Sequence, residues 1–285
     1  MRADLHTHSS RSDGVLSPRE LVHAAREAGL DLIALTDHDS LAGLEEALRA
    51  GRELGVQVVP GVELSVRDDG VEEHLLGFFV DPTEPRLLAY LEQLQASRRE
   101  MAQETLAALV RLGVPVDPDR VAELAAGAVV TRPHIARALV EAGHVATEQE
   151  AFDRFLGSGR PAAPPRPTPT SADAIDVIRA AGGVGGLAHP VFGQELTWPT
   201  RLDATPERLD RLANLGLRAV ECHYPDATPE ITERLLGWTR ERGLIAIGGT
   251  DYHGPGKAPF AALGQVTVDA EVVEALRATR ASSST

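Results

Sequence analysis

Short apolar segments alternate with longer amphipathic segments over the first 65 residues of the chain. Three apolar segments, at about 3–5, 32–35 and 56–59, have the length of buried strands. The two stretches between them repeat apolar residues every three or four positions, as helices do. This βαβαβ order predicts a parallel sheet with crossover helices.

The helix boundaries are marked by capping residues. Ser17 stands at an N-cap position, with a proline directly after it and Glu20 three residues on, and Gly29 ends the first helix. Ser40 is predicted to cap the second helix, which Gly55 ends.

The middle of the chain is predicted to be helical. A strand at 71–80, which contains His74, is followed by a long helical pattern at 85–112 and by shorter helices from 131 and 147. No strand is expected between about 85 and 160, and a proline-rich connector at 160–170 ends this helical insertion. The alternation then resumes. The expected strands are 182–188, 217–221, 244–247 and one near Val266, and the expected helices begin near Ser171, Thr205, Thr228 and Asp269.

Composition sets limits on function. The 285 residues can bury a large core, as one α/β barrel or two modest domains. A net charge of −14 argues against a broad nucleic-acid surface, although metals or a few arginines could bind a small anionic ligand. The single cysteine, Cys222, allows no intrachain disulfide. No apolar run approaches the ~18–20 residues of a membrane span and no signal peptide precedes the first strand, so a cytoplasmic protein is expected. The protein is also expected to be a monomer.

Histidines and carboxylates gather at the ends of the predicted strands. Seven of the ten histidines lie in or just beyond a strand: His6, His8, His38, His74, His189, His223 and His253. Asp13, Asp37, Glu63 and Asp251 fall in the same zone, where parallel α/β barrels carry their active sites. Alone, His6 and His8 could be surface histidines, but so many ligand-type residues at one rim indicate metal.

The number of these residues indicates more than one ion. Each transition ion takes about four to six ligands, with positions open for water and substrate. Nine residues are candidate ligands, which is too many for one ion and suits two or three: His6, His8, His38, His74, His189, His253, Asp13, Glu63 and Asp251. Glu63 is the expected bridge, because it is placed just after the third strand and has two oxygens to share.

Five ordered motifs carry a family resemblance: His6-Thr7-His8, Thr36-Asp37-His38-Asp39, Gly61-Val62-Glu63, Ala188-His189-Pro190 and Thr250-Asp251-Tyr252-His253-Gly254. With them the chain resembles the PHP (polymerase and histidinol phosphatase) superfamily. The resemblance implies a distorted (β/α)7 barrel with a trinuclear metal site, barrel parts at 1–84 and 166–285, and a substrate-capping insertion at 85–165.

The resemblance also implies a distribution of ligands. One ion would take His6, His8, Glu63 and Asp251, a second Asp13, His38 and His253, and a third Glu63, His74 and His189. Many relatives have histidine where this chain has Asp13, and a carboxylate there favours Mn²⁺ or Fe²⁺ over Zn²⁺. Asp37 is expected to orient a ligand, with direct metal binding as the alternative.

The insertion contains Thr131-Arg132-Pro133-His134. With this insertion the chain resembles the PHP phosphoesterases that act on nucleoside 3′,5′-bisphosphates and on short 5′-phosphorylated RNA. Arg132 begins a predicted helix, where free N–H groups and a guanidinium favour phosphate; a solvated charge is the alternative. His134 is expected to contact phosphate or the attacking water, or else to pack. His223, Tyr224 and Lys257 are further candidates for substrate contacts.

The expected reaction is hydrolysis of a phosphate monoester by a metal-bound hydroxide. Arg132 would stabilise the phosphoryl charge, and His253 or His134 would protonate the leaving group. Three alternatives stay open: a histidinol-phosphate phosphatase, an exonuclease on long RNA, and a non-catalytic metal-stabilised module.

Overall fold

The computed structural model describes residues 1–68, 71–125, 127–157, 159–164, 169–190, 204–257 and 261–280. These residues belong to two compact units. The first holds Met1–Tyr90, Pro169–Gln194 and Arg201–Thr285, and the second is mainly Leu91–Thr168. The breaks predicted from the sequence are 84/85 and 165/166, and the second of these positions lies outside the described residues.

In the described part of the first unit, seven strands form one sheet whose spatial order follows the chain. The strands are β1 (Ala3–Thr7), β2 (Leu32–Leu35), β3 (Gln57–Asp68), β4 (Val71–Phe78), β5 (Val184–Leu187), β6 (Ala219–His223) and β7 (Ile245–Gly248). The sheet curls until its ends approach each other. Thr7 forms a parallel bridge with Tyr252, and the Tyr252 carbonyl accepts the N–H of His8 at 2.9 Å. The predicted barrel is therefore nearly closed.

One strand departs from a uniform parallel arrangement. β4 runs antiparallel to both β3 and β5, whereas the other neighbouring strands are parallel. Only two residues separate the end of β3 at Asp68 from the start of β4 at Val71. A parallel crossover needs about a dozen residues or more, so these two strands have to form a hairpin.

Helices cover the sheet of the first unit. They are α1 (Pro18–Glu27), α2 (Leu44–Leu54), α7 (Ser171–Ala180), α8 (Pro206–Leu215), α9 (Pro229–Glu241) and α10 (Ala270–Ala278). Strand β2 shows how both faces are buried: Leu32 and Ala34 pack with Phe78, whereas Ile33 and Leu35 pack with the apolar residues of α1 and α2. This burial on two faces explains the continuous apolar run of the strand.

The second unit is helical. A long helix, α3 (Pro85–Arg111), starts in the first unit and enters the second at Leu91. It is followed by α4 (Pro118–Leu124), α5 (Arg132–Glu141) and α6 (Glu148–Ala151), and α6 continues as a π-helical turn (Phe152–Leu156). Leu109, Ile135, Leu139 and Leu156 are among the residues of its apolar core. No strand occurs among the described residues of 85–160, as predicted. Throughout the described part of the chain, no helix is both long enough and apolar enough to cross a membrane.

Three predicted boundaries are wrong. Helix α2 begins at Leu44 with Gly43 as its N-cap, because the Ser40 hydroxyl instead accepts the N–H of Ala42 in the preceding turn. There is no strand at Val266: only a single bridge joins Val268 to β1, and α10 starts directly after it.

The third error concerns Glu63. It lies inside β3 and not beyond its end, because pairing with β4 carries β3 on to Asp68. One helix, α4, was not predicted at all.

Candidate metal centre

The carboxylate of Glu63 lies at the centre of a group of histidines. Glu63 is fully buried, and each of its oxygens faces imidazole nitrogens from several strands. Oε2 lies 3.2 Å from His6 Nε2, 3.2 Å from His8 Nε2 and 3.1 Å from His38 Nδ1, and Oε1 lies 3.0 Å from His74 Nδ1 and 3.1 Å from His189 Nε2. One carboxylate is thus shared by two groups of histidines, one on each oxygen.

Three sets of side chains bring their ligand atoms within 4.8 Å of one another. The sets are His6, His8, Glu63 and Asp251; His8, Asp13, His38 and His253; and His38, Glu63 and His74. His189 joins the third set, because its Nε2 faces the same Glu63 oxygen as His74. The structure therefore gathers the predicted ligand residues in one place.

His8 and His38 each contact two sets. His8 Nε2 lies 3.1 Å from Asp251 Oδ1, while His8 Nδ1 lies 4.0 Å from Asp13 Oδ1. His38 faces Glu63 with Nδ1 and Asp13 with Nε2, the latter at 3.8 Å. The three sets are consequently parts of one continuous cluster.

The atoms of this cluster fit metal ions. Within the described part of the chain, several buried atoms that face one another make no hydrogen bond: Nε2 of His6, both ring nitrogens of His8, Nδ1 of His38 and His74, Oε2 of Glu63 and Oδ1 of Asp251. Buried polar atoms are normally hydrogen-bonded, so a group without such bonds requires another partner. Imidazole nitrogens and carboxylate oxygens that converge in this way are the donors that divalent transition ions take.

The protonation states of the carboxylates and of His38 agree with this chemistry. Burial would raise the pKa of Glu63, but the nearby histidines, His38 foremost, hold it well below its usual value. The pKa values of Asp13 and Asp251 are lowered in the same way against burial. Burial lowers the pKa of His38 to about 3. Ionised carboxylates and a neutral imidazole are the forms that bind metal. Against burial, neighbouring carboxylates raise the pKa of His6 and of His253, and they raise that of His8 to about 10, so metal would displace protons from these three rings.

Several residues in or next to the cluster have unusual backbone conformations. Outside glycine, positive φ angles occur among the described residues at Asp39 (+49°), His189 (+24°) and Asp251 (+50°), and at Phe79. Such conformations cost about 1–3 kcal/mol each and persist where the surroundings enforce them. Gly249, directly after β7, allows this segment to lie against His6, because a Cβ there would meet His6 Cβ at 2.5 Å.

Two aspartates support the cluster from behind. Asp37 accepts the N–H and the hydroxyl of Ser9, each at 2.7 Å, and the Ser12 hydroxyl at 2.8 Å, and so shapes the loop that leads to Asp13. Asp4 accepts the N–H and the hydroxyl of Thr250 at 2.9 and 2.6 Å. Asp4 therefore links β1 to the residue that precedes Asp251.

A third supporting carboxylate, Glu221 of β6, was missed in the sequence. It contacts the ring of His6 and the backbone of His189. The signal for it is weak, because a glutamate inside a predicted strand usually indicates an exposed position.

Comparison with known proteins identifies the family. A PHP domain model matches residues 4–158. A Haemophilus influenzae protein named 5′-3′ exoribonuclease is 37% identical over 253 residues, which cover 88% of this chain and 90% of the relative. The chain belongs to the PHP family.

Other PHP proteins match over similar lengths. The 3′,5′-nucleoside bisphosphate phosphatase of Chromobacterium violaceum is 31% identical over 259 residues, 89% of this chain and 88% of the relative. A solved structure of a metal-dependent phosphoesterase candidate from Bifidobacterium adolescentis superposes with a TM-score of 0.89 at 32% identity, and covers 97% of this chain and 95% of that one. The predicted PHP barrel is thereby confirmed, and the chain is a hydrolase of this family.

The predicted substrate contacts lie in both units. In the second unit, Arg132 is half-buried at the start of α5, and His134 Nδ1 accepts the N–H of Thr131 at 3.0 Å. His134 is thus also a helix-capping residue.

In the first unit, His223 ends β6, and its carbonyl accepts the N–H of Gly249 at 3.1 Å. Tyr224 is buried, and its hydroxyl donates to the Pro190 carbonyl. Lys257 lies partly exposed in the loop after His253. Substrate contact by these residues stays a prediction.

Proposed function

We propose that the protein is a metal-dependent phosphoesterase that removes phosphate from small nucleotides, above all nucleoside 3′,5′-bisphosphates, and that also cleaves short 5′-phosphorylated RNA. The observation that carries the proposal is the sharing of the buried Glu63 carboxylate between two groups of histidines. The names of the relatives support the substrate class, because one is a 3′,5′-nucleoside bisphosphate phosphatase and another is a 5′-3′ exoribonuclease, and both kinds of substrate are phosphate esters of nucleosides.

The ligand residues divide among two or three divalent ions, Mn²⁺, Fe²⁺ or Zn²⁺. His6, His8, Glu63 and Asp251 would hold the first, Asp13, His38 and His253 the second, and Glu63, His74 and His189 the third. When bound, the ions would polarise phosphoryl oxygens and lower the pKa of water toward neutrality. The carboxylate at Asp13 favours Mn²⁺ or Fe²⁺ over Zn²⁺ at the second position.

The electrostatics of the cluster require cations. Glu63, Asp13 and Asp251 are ionised, because their pKa values are lowered, and the whole chain has a net charge of −14. The protons that the raised pKa values keep on His6 and His8 offset these charges only until metal takes their place. A phosphorylated substrate would be repelled by these carboxylates unless positive ions intervened. Phosphoesterase activity of this site is therefore metal-dependent.

Differences in exposure indicate how a substrate would approach. The side chains of His6, His8 and Glu63 are fully buried, whereas the His74 side chain is 33% exposed and that of Asp251 16%. The buried residues form the floor of the site, and a phosphoryl group would enter over His74. The buried floor excludes bulk water from the ligands, which strengthens their electrostatic interactions.

The chain supplies no thiol nucleophile. Cys222 is buried, it lies 3.4 Å from the Thr239 hydroxyl, and burial raises its pKa to about 12. A thiol with this pKa is not ionised at neutral pH. No covalent phosphoenzyme is therefore expected on this residue, which favours attack by water.

His253 and His134 differ as proton donors to the leaving group. The Nδ1–H of His253 donates to the Asp251 carbonyl at 2.8 Å, and its Nε2 lies 3.3 Å from Asp13 Oδ1. Both nitrogens thus have partners, which favours a ligand role for His253. His134 accepts the N–H of Thr131 with Nδ1, so the hydrogen of its neutral ring is on Nε2, the form that a proton donor needs.

The test is a substrate panel with the Mn²⁺-loaded protein. Phosphate release is measured from adenosine 3′,5′-bisphosphate, AMP and histidinol phosphate, and nucleotide release from a 5′-phosphorylated RNA pentamer. We expect the bisphosphate and the pentamer to be the good substrates. Arg132→Ala should lower kcat/KM for them about 10–100-fold, since a hydrogen bond to a charged group contributes about 1.5–3 kcal/mol.

Arg137→Ala is the matched control. Arg137 lies in the same helix, is 49% exposed and pairs with Glu141 at 3.7 Å, so its loss should leave turnover unchanged. Histidinol phosphate as the sole good substrate would refute the substrate class. Inactivity on all four compounds would favour a non-catalytic module.

A further inference from the structure

Glu221 is a buried carboxylate that faces the inside of the cluster. It is completely inaccessible to solvent and lies in the middle of β6, paired in register with Ile247 of β7. The next residue, Cys222, points the other way and contacts Thr239 of α9. Because side chains alternate along a strand, Glu221 points away from the helix layer.

Two ligand residues are the partners of this carboxylate. His6 Nδ1 lies 3.2 Å from Oε1 and 3.2 Å from Oε2, and the backbone N–H of His189 donates to Oε2 at 2.7 Å. A buried carboxylate is costly unless it is well paired, and replacement by an apolar residue is often neutral or stabilising. The position of Glu221 therefore indicates a role besides stability.

The contact with His6 determines which ring nitrogen is available. If Nδ1 carries the hydrogen and donates it to Glu221, the lone pair of Nε2 points at Glu63 and Asp251, from which it lies 3.2 and 3.3 Å. A carboxylate behind a histidine ligand fixes the tautomer and the ring orientation, and it raises the basicity of the ligand.

The contact with His189 holds its backbone. His189 lies two residues after the end of β5 and has a φ of +24°, which a residue with a side chain seldom adopts. The hydrogen bond from its N–H to Glu221 stabilises this conformation, in which Nε2 reaches Glu63 Oε1 at 3.1 Å. The same carboxylate thus acts on ligands that approach opposite oxygens of Glu63.

We propose that Glu221 is a positioning residue that holds His6 and His189 together, so that it controls two of the three metal positions and not the one formed by Asp13, His38 and His253. This inference rests on the proposed function, since it presumes that the cluster binds metal. Loss of the Glu221 side chain would therefore weaken metal binding at the position that contains His6 and at the position that contains His189.

Asp37 provides the matched comparison. It is also buried and also lies behind the cluster, but its partners are Ser9 and Ser12, in the loop that carries Asp13. The structure thus has two buried carboxylates on different parts of the cluster. Their removal should weaken different ions.

The experiment measures Mn²⁺ binding alone. Wild type, Glu221→Gln and Asp37→Asn are freed of metal with a chelator and titrated with Mn²⁺ by calorimetry at neutral pH, and circular dichroism checks folding. In Glu221→Gln we expect about a 10–100-fold loss of affinity for two equivalents, with the remaining equivalent at wild-type affinity. Asp37→Asn should weaken that remaining equivalent instead.

The outcomes separate the two proposals. Wild-type protein that binds no Mn²⁺ would refute the metal centre itself. If wild type binds three equivalents and Glu221→Gln binds them with equal affinity, only the positioning role is refuted. The positioning role is also refuted if Glu221→Gln and Asp37→Asn weaken the same equivalents. If Glu221→Gln does not fold, Glu221→Asp replaces it. That side chain keeps the charge but is too short to reach both partners, so at least one equivalent should weaken; unchanged binding would refute the role.

Discussion

Gly249 is the position where the smallest substitution should do the most damage to the metal centre. A Cβ added there would lie 2.5 Å from both Cβ and the backbone nitrogen of His6, and 3.0 Å from its Cα. Non-bonded carbon atoms pack at about 3.5–4.0 Å, so the two segments must separate by about 1 Å. The contacted atoms belong to a buried strand and cannot rotate away. In Gly249→Ala, His6 therefore has to move relative to Glu63 and Asp251.

Two effects of different size should follow. Overpacking of a core costs about 1–3 kcal/mol, which urea denaturation would show as a lower midpoint. A misplacement of about 1 Å at a reacting site can reduce the rate about 100-fold, which is measured as kcat/KM with Mn²⁺.

Gly237→Ala makes the same change where there is space. Gly237 lies in α9, and an added Cβ would meet nothing within 4 Å. Alanine is about 1 kcal/mol better than glycine inside a helix, so this variant should be more stable and equally active. Gly249→Ala with wild-type stability and turnover would refute the close-approach argument.

Three further predictions concern buried charges and the thiol. Glu63→Gln should lower the affinity for Mn²⁺ by more than ~100-fold, because removal of a carboxylate that only supports a ligand already costs up to about that much. The metal content after dialysis measures this loss, and full retention of metal would contradict the shared-ligand geometry. Folded Cys222 should react with iodoacetamide at least about 1,000-fold more slowly than the unfolded chain near neutral pH, since its pKa is raised from 9.0 to about 12, and Cys222→Ala should keep full activity. Arg208→Ala should destabilise the protein by about 3–5 kcal/mol in urea, because it leaves the carboxylates of Glu73 and Asp68 without their buried partner. An unchanged midpoint would show that this network contributes little.

The gathering of these histidines and carboxylates could be predicted because their positions follow from sequence order. His6, His38 and Asp251 each stand at or just after the end of an apolar run, and neighbouring parallel strands bring such ends together. Imidazoles and carboxylates gathered at one edge of a sheet are typical of a metal centre. Which atoms face one another was beyond prediction, because it depends on the closure of the sheet and on the positive φ angles at Asp251 and His189.

The sequence contains a signal for the antiparallel hairpin of β3 and β4, which is easily overlooked when strands and helices are expected to alternate. Asp69-Gly70 separates two apolar stretches, and Asp-Gly between strands is a strong hairpin signal. Its recognition would have placed Glu63 within a hairpin strand. Helix α4 had a comparable signal in Asp117-Pro118, since Asp117 caps the helix and Pro118 is its first residue.

Glu221 could not have been found in this way, and the reason bears on how the site works. Its importance lies in contacts with His6, 215 residues away, and with the backbone of His189. Buried carboxylates such as Glu63 and Glu221 oppose folding when they are unpaired. The histidines around Glu63 offset this cost, since they hold its pKa well below the usual value despite burial. Bound cations would take the place of the protons on these histidines, so the buried charges that depend on partners far away in the chain would also give the centre its affinity for metal.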